Sequence, residues 1–162
     1  FEIINCAISD KIDRKQIRVP VGDAGRSTLE KSNTLSDISV EIEDIIVEVR
    51  TLDSFDFSNI GFIKIDVEGH EKSVILGSLK LIKEQRPTLL IEIEERHKKS
   101  SINSVVNLLR GLNYSCFFYD DDKIKDFEEF DLYKHQTYGK DPYINNFIFV
   151  ESGGKLYKEW KA

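Results

Sequence analysis

The fold is decided by the stretch Gly61-Phe62-Ile63-Lys64-Ile65-Asp66-Val67-Glu68-Gly69-His70-Glu71. An apolar run gives way to three polar side chains and a glycine just before a helical pattern begins. This order predicts a buried strand that ends at Asp66 and leads through a turn into a helix. In an open α/β sheet, ligands bind outside the carboxyl ends of the parallel strands, so the polar residues are expected at the rim of a functional site.

On either side of this stretch, strand and helix patterns alternate. Apolar residues recur at helical spacing after Glu71 while Glu71 itself and the lysines face outward, which predicts one amphipathic helix that Pro87 ends. A second helix is predicted to start with Ser101 as its N-cap. The predicted strands are residues 1–8, 17–20, 45–52, 62–66, 88–92, 114–119 and 146–150.

Such alternation predicts an α/β domain with a mostly parallel sheet, because crossover helices join parallel strands. The segment 22–39, rich in Gly, Ser and Asn, is predicted to be a loop that covers one edge of the domain. The last strand follows a charged connection, residues 120–143, that is predicted to be non-helical. It is therefore expected to be an antiparallel edge strand.

Composition narrows the class of protein. The chain has 162 residues, 40% of them hydrophobic, which suits one domain with a sizeable core. A net charge of −6 argues against a nucleic-acid partner, and no apolar run approaches the roughly 18 residues of a membrane span. Two distant cysteines, Cys6 and Cys116, predict free thiols in a reducing compartment, hence a cytoplasmic location. The absence of methionine and the opening within a strand pattern predict the back part of a longer protein.

Several pieces of the sequence match one family in order. They are Ile4-Asn5-Cys6-Ala7-Ile8-Ser9-Asp10, Gly25-Arg26-Ser27-Thr28-Leu29, Val49-Arg50-Thr51-Leu52-Asp53-Ser54, Ile63 to Glu71, Leu76-Gly77, Arg86-Pro87, Glu92 and Asn146-Phe147-Ile148-Phe149-Val150. With these pieces the sequence resembles the C-terminal two-thirds of an FkbM-type S-adenosylmethionine-dependent methyltransferase. The resemblance covers a domain of residues 1–150 and leaves residues 151–162 as a tail.

The resemblance implies a doubly wound, Rossmann-like class I methyltransferase fold with strand order 3-2-1-4-5-7-6 and an antiparallel strand 7. On that scheme residues 1–8 are strand 3, and the strands from residue 62 onward are 4, 5, 6 and 7 in chain order. Strands 1 and 2, with the Gly-rich turn for the cofactor, would precede Phe1. Their absence would leave a gap of roughly 10 Å in the sheet, so the fold is expected to be incomplete at the N-terminus and to bind S-adenosylmethionine poorly by itself.

The resemblance also implies the activity, which is methyl transfer from S-adenosylmethionine to an oxygen of a small molecule or sugar. Asp66 is expected near the transferred methyl group, where a carboxylate holds the cofactor's ammonium group or orients an acceptor hydroxyl. Glu68 is expected to act beside it. His70 is a candidate general base because its ordinary pKa suits proton transfer at neutral pH, although positioning alone suffices for a direct displacement.

Binding roles are implied for four further residues. Cys6, Ala7 and Ile8 are expected beside the adenine, which they would contact through main chain and apolar surface. Other methyltransferases of this fold often place an acid near the position of Ala7, and this sequence does not. Glu92, at the end of a predicted strand, is expected to face the acceptor pocket.

Each of these residues also has a structural interpretation. Asp66 is a good helix N-cap residue, and Glu68 and Glu71 are favoured near the start of a helix by its dipole. Asp66, Glu68 and His70 alternate along an extended segment, so they are also candidates for a metal site in a metal-dependent hydrolase. A further alternative is a catalytically silent remnant of a methyltransferase that serves as an interaction module.

Three other distinctive side chains are interpreted as structural. His97 and His135 are expected to be solvated loop histidines. Trp160, in the basic tail, is expected to pack on the domain surface or to be disordered.

Overall fold

The structure, a computed structural model, describes residues 1–31, 33, 35, 39–95, 102–139 and 141–162. The strands are β1 (Ala7–Ile8), β2 (Asp13–Pro20), β3 (Ile42–Arg50), β4 (Phe62–Ile65), β5 (Thr88–Glu92), β6 (Tyr114–Asp120), β7 (Lys123–Asp126) and β8 (Asn146–Glu151). The helices are α1 (Glu71–Leu76), α2 (Leu79–Gln85), α3 (Ile102–Arg110), α4 (Leu132–His135) and α5 (Lys155–Trp160). The predicted N-cap Ser101 and the loop residue His97 lie outside the described residues.

The larger sheet has five strands in the order β4-β5-β8-β6-β7. Its first four strands therefore follow the predicted order 4-5-7-6, and β8 is antiparallel to both of its neighbours, as expected of strand 7. The prediction that this strand forms an edge is wrong, because β8 lies between β5 and β6. The mostly parallel sheet is not confirmed either: among the described strands of this five-stranded sheet only β4 and β5 pair in parallel, since β8 is inserted antiparallel and β7 forms a hairpin with β6. The fold is thus α/β with mixed sheets.

A second sheet of three strands, β1-β3-β2, carries the first third of the chain. β2 and β3 pair antiparallel over their whole length, and β1 runs parallel to β3 through Ala7 and Ile8. The strand predicted for residues 1–8 is therefore reduced to two residues. Just before it the Cys6 N–H donates to the Ile4 carbonyl, which turns the chain locally instead of offering that group to a neighbouring strand.

The helix predicted to run on from Glu71 is broken into α1 and α2 at Gly77 and Ser78. Gly77 packs directly on the backbone of Ser9, where a Cβ atom would lie 1.9 Å from the Ser9 carbonyl oxygen. The N-terminus of α2 is capped by a residue from an earlier part of the chain. The Asp53 carboxylate accepts hydrogen bonds from the Lys80 N–H at 3.0 Å and the Leu81 N–H at 2.9 Å. Contacts between distant parts of the chain, and not local propensity, place this break.

The end of α2 agrees with the prediction that Pro87 stops the helix. Arg86 adopts a left-handed conformation with φ of 51°. Its guanidinium donates to the carbonyls of Leu112 at 2.7 Å and Asn113 at 3.0 Å and pairs with Glu151 at 3.0 Å. The turn into β5 is thereby tied to the neighbouring strands β6 and β8.

The core lies between the five-stranded sheet and helices α1 to α3. Alternate residues of β5 and β8 are fully buried, and they pack with the apolar faces of the helices. Burial of each such side chain is worth about 1.5–3 kcal/mol relative to exposure. The main members are Ile75, Ile82, Leu89, Ile91, Val105, Leu109, Phe118, Phe147 and Phe149.

The connection predicted to be non-helical, residues 120–143, contains β7 and the short helix α4. His135, expected in solvent, is instead buried at the end of α4, where it packs against the rings of Phe118 and Phe130. The tail forms α5, and Trp160 packs edge-on against Phe117 at 5.3 Å.

The two thiols are both free, as predicted. Cys116 is buried and Cys6 is half-buried, and burial raises the pKa of each. Among the described residues there is no helix whose length and apolar character would let it cross a bilayer.

Candidate active site

The turn after β4 presents the first two predicted site residues. β4 ends at Ile65, and Asp66 follows as an exposed residue. Glu68 and Gly69 both have positive φ values, 48° and 96°, which reverse the chain sharply before α1. Helix α1 has no side-chain cap, so the interpretation of Asp66 as an N-cap residue is not supported.

The turn borders a small cleft that is lined by carboxylates. The lining residues are Asp66, Glu68, Glu71, Glu92 and Glu94. The cleft lies at the carboxyl ends of the parallel strands β4 and β5, where α/β sheets bind ligands. The volume inside it is about 10 Å³, room for no more than about one water molecule, whereas pockets that enclose a whole small ligand measure about 300–1,000 Å³.

Glu71 was expected to face outward, and this prediction is wrong. Its side chain is only 2% exposed, and Oε1 accepts from the Gly69 N–H at 2.8 Å. The carboxylate thus stabilises the tight turn that holds Asp66 and Glu68 in place.

One lysine lies among the carboxylates at the ends of β4 and β5. Lys64 Nζ is 3.4 Å from Glu92 Oε2 and 3.8 Å from Asp66 Oδ2. Burial raises the pKa of the Glu92 carboxyl, the charge of Asp66 raises it as well, and Lys64 opposes both effects. The structure therefore brings Asp66 and Glu92 together through a shared cation.

His70 is separated from this cleft by its orientation. Its ring is 6% exposed, with Nδ1 at 2.6 Å from Glu30 Oε1 and Nε2 at 2.8 Å from Ser9 Oγ. The prediction that His70 acts as a general base is not supported, because both ring nitrogens are already hydrogen-bonded inside the protein. We call this group of Ser9, Glu30 and His70 the histidine clasp.

The loop that carries Glu30 also holds the turn by its backbone. The Glu68 carbonyl accepts from Thr28 Oγ1 at 3.0 Å and from Asn33 Nδ2 at 3.3 Å. Arg18 in turn donates to the carbonyls of Glu30 and Asn33. The turn after β4 is thus fixed by side chains that lie about 40 residues earlier in the chain.

The three residues expected beside the adenine, Cys6, Ala7 and Ile8, are half-buried at the start of the chain. Ser9 follows them directly and is fully buried in the histidine clasp. The clasp therefore joins the segment predicted to contact the adenine to the turn predicted to lie near the methyl group.

The metal site proposed for Asp66, Glu68 and His70 is not formed. The ring nitrogens of His70 are bonded to Glu30 and Ser9, so they do not face the two acids. Within the described part of the chain, no group of three or more His, Cys, Asp or Glu side chains is arranged to hold a metal ion.

Several residues of the site escaped the sequence analysis. Lys64 was recognisable, because it lies two positions before Asp66 and side chains on a strand alternate between its faces. Asn145 and Asn146 carried no signal of their own, since their contacts depend on the pairing of β8 with β5.

An α/β fold with a polar cleft at the ends of two parallel strands is typical of the ligand-binding α/β enzymes. Within that class, the chain belongs to the FkbM methyltransferase domain family, because the family model "Methyltransferase FkbM domain" matches residues 2–116. Comparison of the sequence with curated proteins finds no match. Among solved structures, the chain is similar to the methyltransferase FkbM from Methylobacillus flagellatus KT, with 20% identity and a TM-score of 0.48. That similarity covers 90% of this chain and 27% of the length of the solved protein.

Proposed function

We propose that this chain forms part of the catalytic domain of an S-adenosylmethionine-dependent methyltransferase that acts on an oxygen of a small molecule or sugar. The observation that carries the proposal is the carboxylate-lined cleft at the carboxyl ends of β4 and β5, in a chain of the FkbM methyltransferase domain family. The acidic lining fits a cofactor that has both an ammonium and a sulfonium charge. When bound, S-adenosylmethionine supplies an electrophilic methyl group.

The chain's own residues have distinct tasks in this proposal. Asp66 and Glu68 lie on the turn and accept hydrogen bonds from the cofactor's ammonium group or the acceptor's hydroxyl. Glu92, at the end of β5, faces the acceptor; its carboxylate accepts a hydrogen bond from the hydroxyl and then its proton, as the oxygen takes the methyl group and S-adenosylhomocysteine is released. Cys6, Ala7 and Ile8 offer main chain and apolar surface to the adenine.

The size of the cleft limits what these residues hold by themselves. With a volume of about 10 Å³ it is far too small for a whole nucleoside cofactor. We therefore expect the 162 residues in isolation to bind S-adenosylmethionine weakly in isothermal titration. Tight binding by the isolated chain would contradict this expectation.

Asp66→Asn tests the proposal in the polypeptide encoded by the whole reading frame that contains these residues. The measurement is formation of S-adenosylhomocysteine with a panel of hydroxylated small molecules and sugars. We expect Asp66→Asn to lower kcat/KM at least tenfold, since it removes a charge that contacts the reacting groups. Asp56→Asn, at an exposed position in the loop before β4, is the matched control and is expected to stay within about twofold.

Two results would count against the proposal. Full activity of Asp66→Asn would place the reaction elsewhere in the molecule. Absence of methyl transfer by the wild-type polypeptide with every acceptor would favour the silent interaction module instead.

A further inference from the structure

Four polar side chains at the ends of β4, β5 and β8 form a closed hydrogen-bonded ring. Lys64 Nζ donates to Asn146 Oδ1 at 2.9 Å, and Asn146 Nδ2 donates to Asn145 Oδ1 at 2.9 Å. Asn145 Nδ2 then donates to Glu92 Oε1 at 2.8 Å, and Lys64 Nζ closes the ring at Glu92 Oε2, 3.4 Å away. We call this group the lysine–asparagine ring.

The chemistry of the two charged groups fixes the direction of each hydrogen bond, which runs from the Lys64 side to the Glu92 side. An ammonium group only donates hydrogen bonds and a carboxylate only accepts them. Each amide therefore turns its oxygen toward the Lys64 end of the series and its nitrogen toward the Glu92 end. The sheet supplies the spacing, because Glu92 and Asn146 are directly opposed residues in the pairing of β5 with β8.

The ring engages both oxygens of Glu92 but leaves acceptor capacity free. A carboxylate offers about four acceptor sites, and the ring uses two. Asn145 Nδ2 also lies 3.2 Å from Glu94 Oε1, so the same amide sets the distance between two of the carboxylates that line the cleft. The orientation of the acidic wall thus depends on neutral side chains at the start of β8.

The charges that face Glu92 are unevenly balanced. Asp66 just after β4 and Glu94 just after β5 are negative, and Lys64 on β4 is positive. The side chains from β8, Asn145 and Asn146, are neutral donors and acceptors. Lys64 and the Asn145 amide therefore favour the ionised form of Glu92 against burial and two like charges.

We propose that Lys64, Asn145 and Asn146 are positioning residues, whose ring holds the Glu92 carboxylate ionised and aimed at the cleft to receive a hydrogen bond from the methyl acceptor. This inference rests on the proposed function for the role of Glu92, but the ring itself can be tested without activity.

The first test measures the Glu92 pKa by NMR in the 162-residue chain, with ¹³C-labelled glutamate carboxyls and Glu92→Gln to assign the resonance. Lys64→Met and Asn145→Ala each remove a donor that favours the charged form, so both are expected to raise the Glu92 pKa. Lys64→Arg keeps the charge and a donor and is expected to restore a value near that of the wild type. Lys72→Met, at an exposed position of α1, is the control for loss of a surface lysine.

The second test is kinetic and uses the whole reading frame. Lys64→Met and Asn145→Ala are expected to lower kcat roughly tenfold and to move the acidic limb of the pH profile to higher pH, with little change in KM for S-adenosylmethionine. A structural role alone would not move that limb.

The two tests distinguish the role of the lysine–asparagine ring from the proposed methyltransferase function. An unchanged Glu92 pKa in both variants overturns the ring, whatever the activity. A raised pKa together with an inactive wild-type polypeptide supports the ring as a device that orients Glu92 and overturns the proposed function. An active wild type whose variants keep their kcat and pH profile overturns the positioning role.

Discussion

Two polar clusters, the acidic cleft and the histidine clasp, both include residues of the segment 64–70. They differ in almost every physical respect. In the acidic cleft, Asp66 is exposed and shares Lys64 with the half-buried Glu92. In the histidine clasp, the His70 ring is buried between two short hydrogen bonds, at 2.6 and 2.8 Å. In the cleft two carboxylates thus share one cation, whereas each ring nitrogen of the clasp has a partner of its own.

The difference distinguishes a candidate binding surface from a structural contact. Buried polar groups are tolerated when each has its partner, and loss of one partner leaves the others unsatisfied at a cost of about 1–3 kcal/mol. Carboxylates such as Asp66 and Glu92, which share one cation and are in partial contact with solvent, contribute little to folding but can accept a hydrogen bond from a ligand. Substitutions in the clasp should therefore reduce stability, and those in the cleft should reduce activity.

The largest effect on stability is expected from Gly77→Ala, which disturbs the support of the clasp. The added Cβ atom would lie 1.9 Å from the Ser9 carbonyl oxygen and 2.9 Å from its carbon, both of them backbone atoms that have to move. We expect a loss of roughly 3 kcal/mol in the free energy of unfolding, measured by urea denaturation.

Gly61→Ala is the matched control for this substitution. No atom lies within 4 Å of a Cβ at that position. Its effect is expected to stay within about 0.5 kcal/mol, the range of unconstrained surface changes. Equal stability of the two variants would show that Ser9 and α1 do not approach as closely as the clasp requires.

A smaller loss is expected from His70→Ala, which removes the centre of the clasp. Glu30 and the fully buried Ser9 would each lose a hydrogen bond, for a cost of roughly 2 kcal/mol. Urea denaturation measures the loss, with Lys72→Ala on the exposed side of α1 as the control. Wild-type stability of His70→Ala combined with lost methyl transfer would return His70 to the catalytic role.

The same comparison shows what the sequence could and could not predict. Strand β5 was predicted with its observed bounds, because Pro87 and the acidic residues frame a short apolar run. The burial of His70 could not be predicted, since its partners Ser9 and Glu30 lie 61 and 40 residues away. Local pattern determined which elements exist, and packing between distant segments determined which polar residues are buried.

The residues of the candidate site show the same distinction between what local pattern predicts and what distant packing decides. Asp66 and Glu92 were predicted at the ends of two strands, and the structure places them there, side by side because the ends of neighbouring parallel strands meet. Asn145 was missed, since only the antiparallel insertion of β8 brings it beside Glu92. The break after α1 was missed for a comparable reason, as it depends on Gly77 approaching Ser9.

The smallest effect is expected in the cleft, where Glu92→Gln should change the pH dependence of stability more than stability itself. Burial and the neighbouring Asp66 raise the pKa of Glu92 in the folded chain. A carboxyl with a raised pKa contributes stability below its unfolded pKa of about 4.3, and that contribution is lost as pH rises through the folded value. Relative to Glu92→Gln, the wild type should therefore lose stability as pH rises from about 4.3 through the raised pKa of the folded chain, by less than about 1 kcal/mol because the site is partly solvated. Urea denaturation across this range measures the difference, and Glu84→Gln on the exposed side of α2 is the control. A difference no larger than that of the control, or one of opposite sign, would show that Lys64 and Asn145 outweigh burial and like charge at Glu92. The cleft would then resemble the clasp in having its charges balanced, and the contrast between the two clusters would fail.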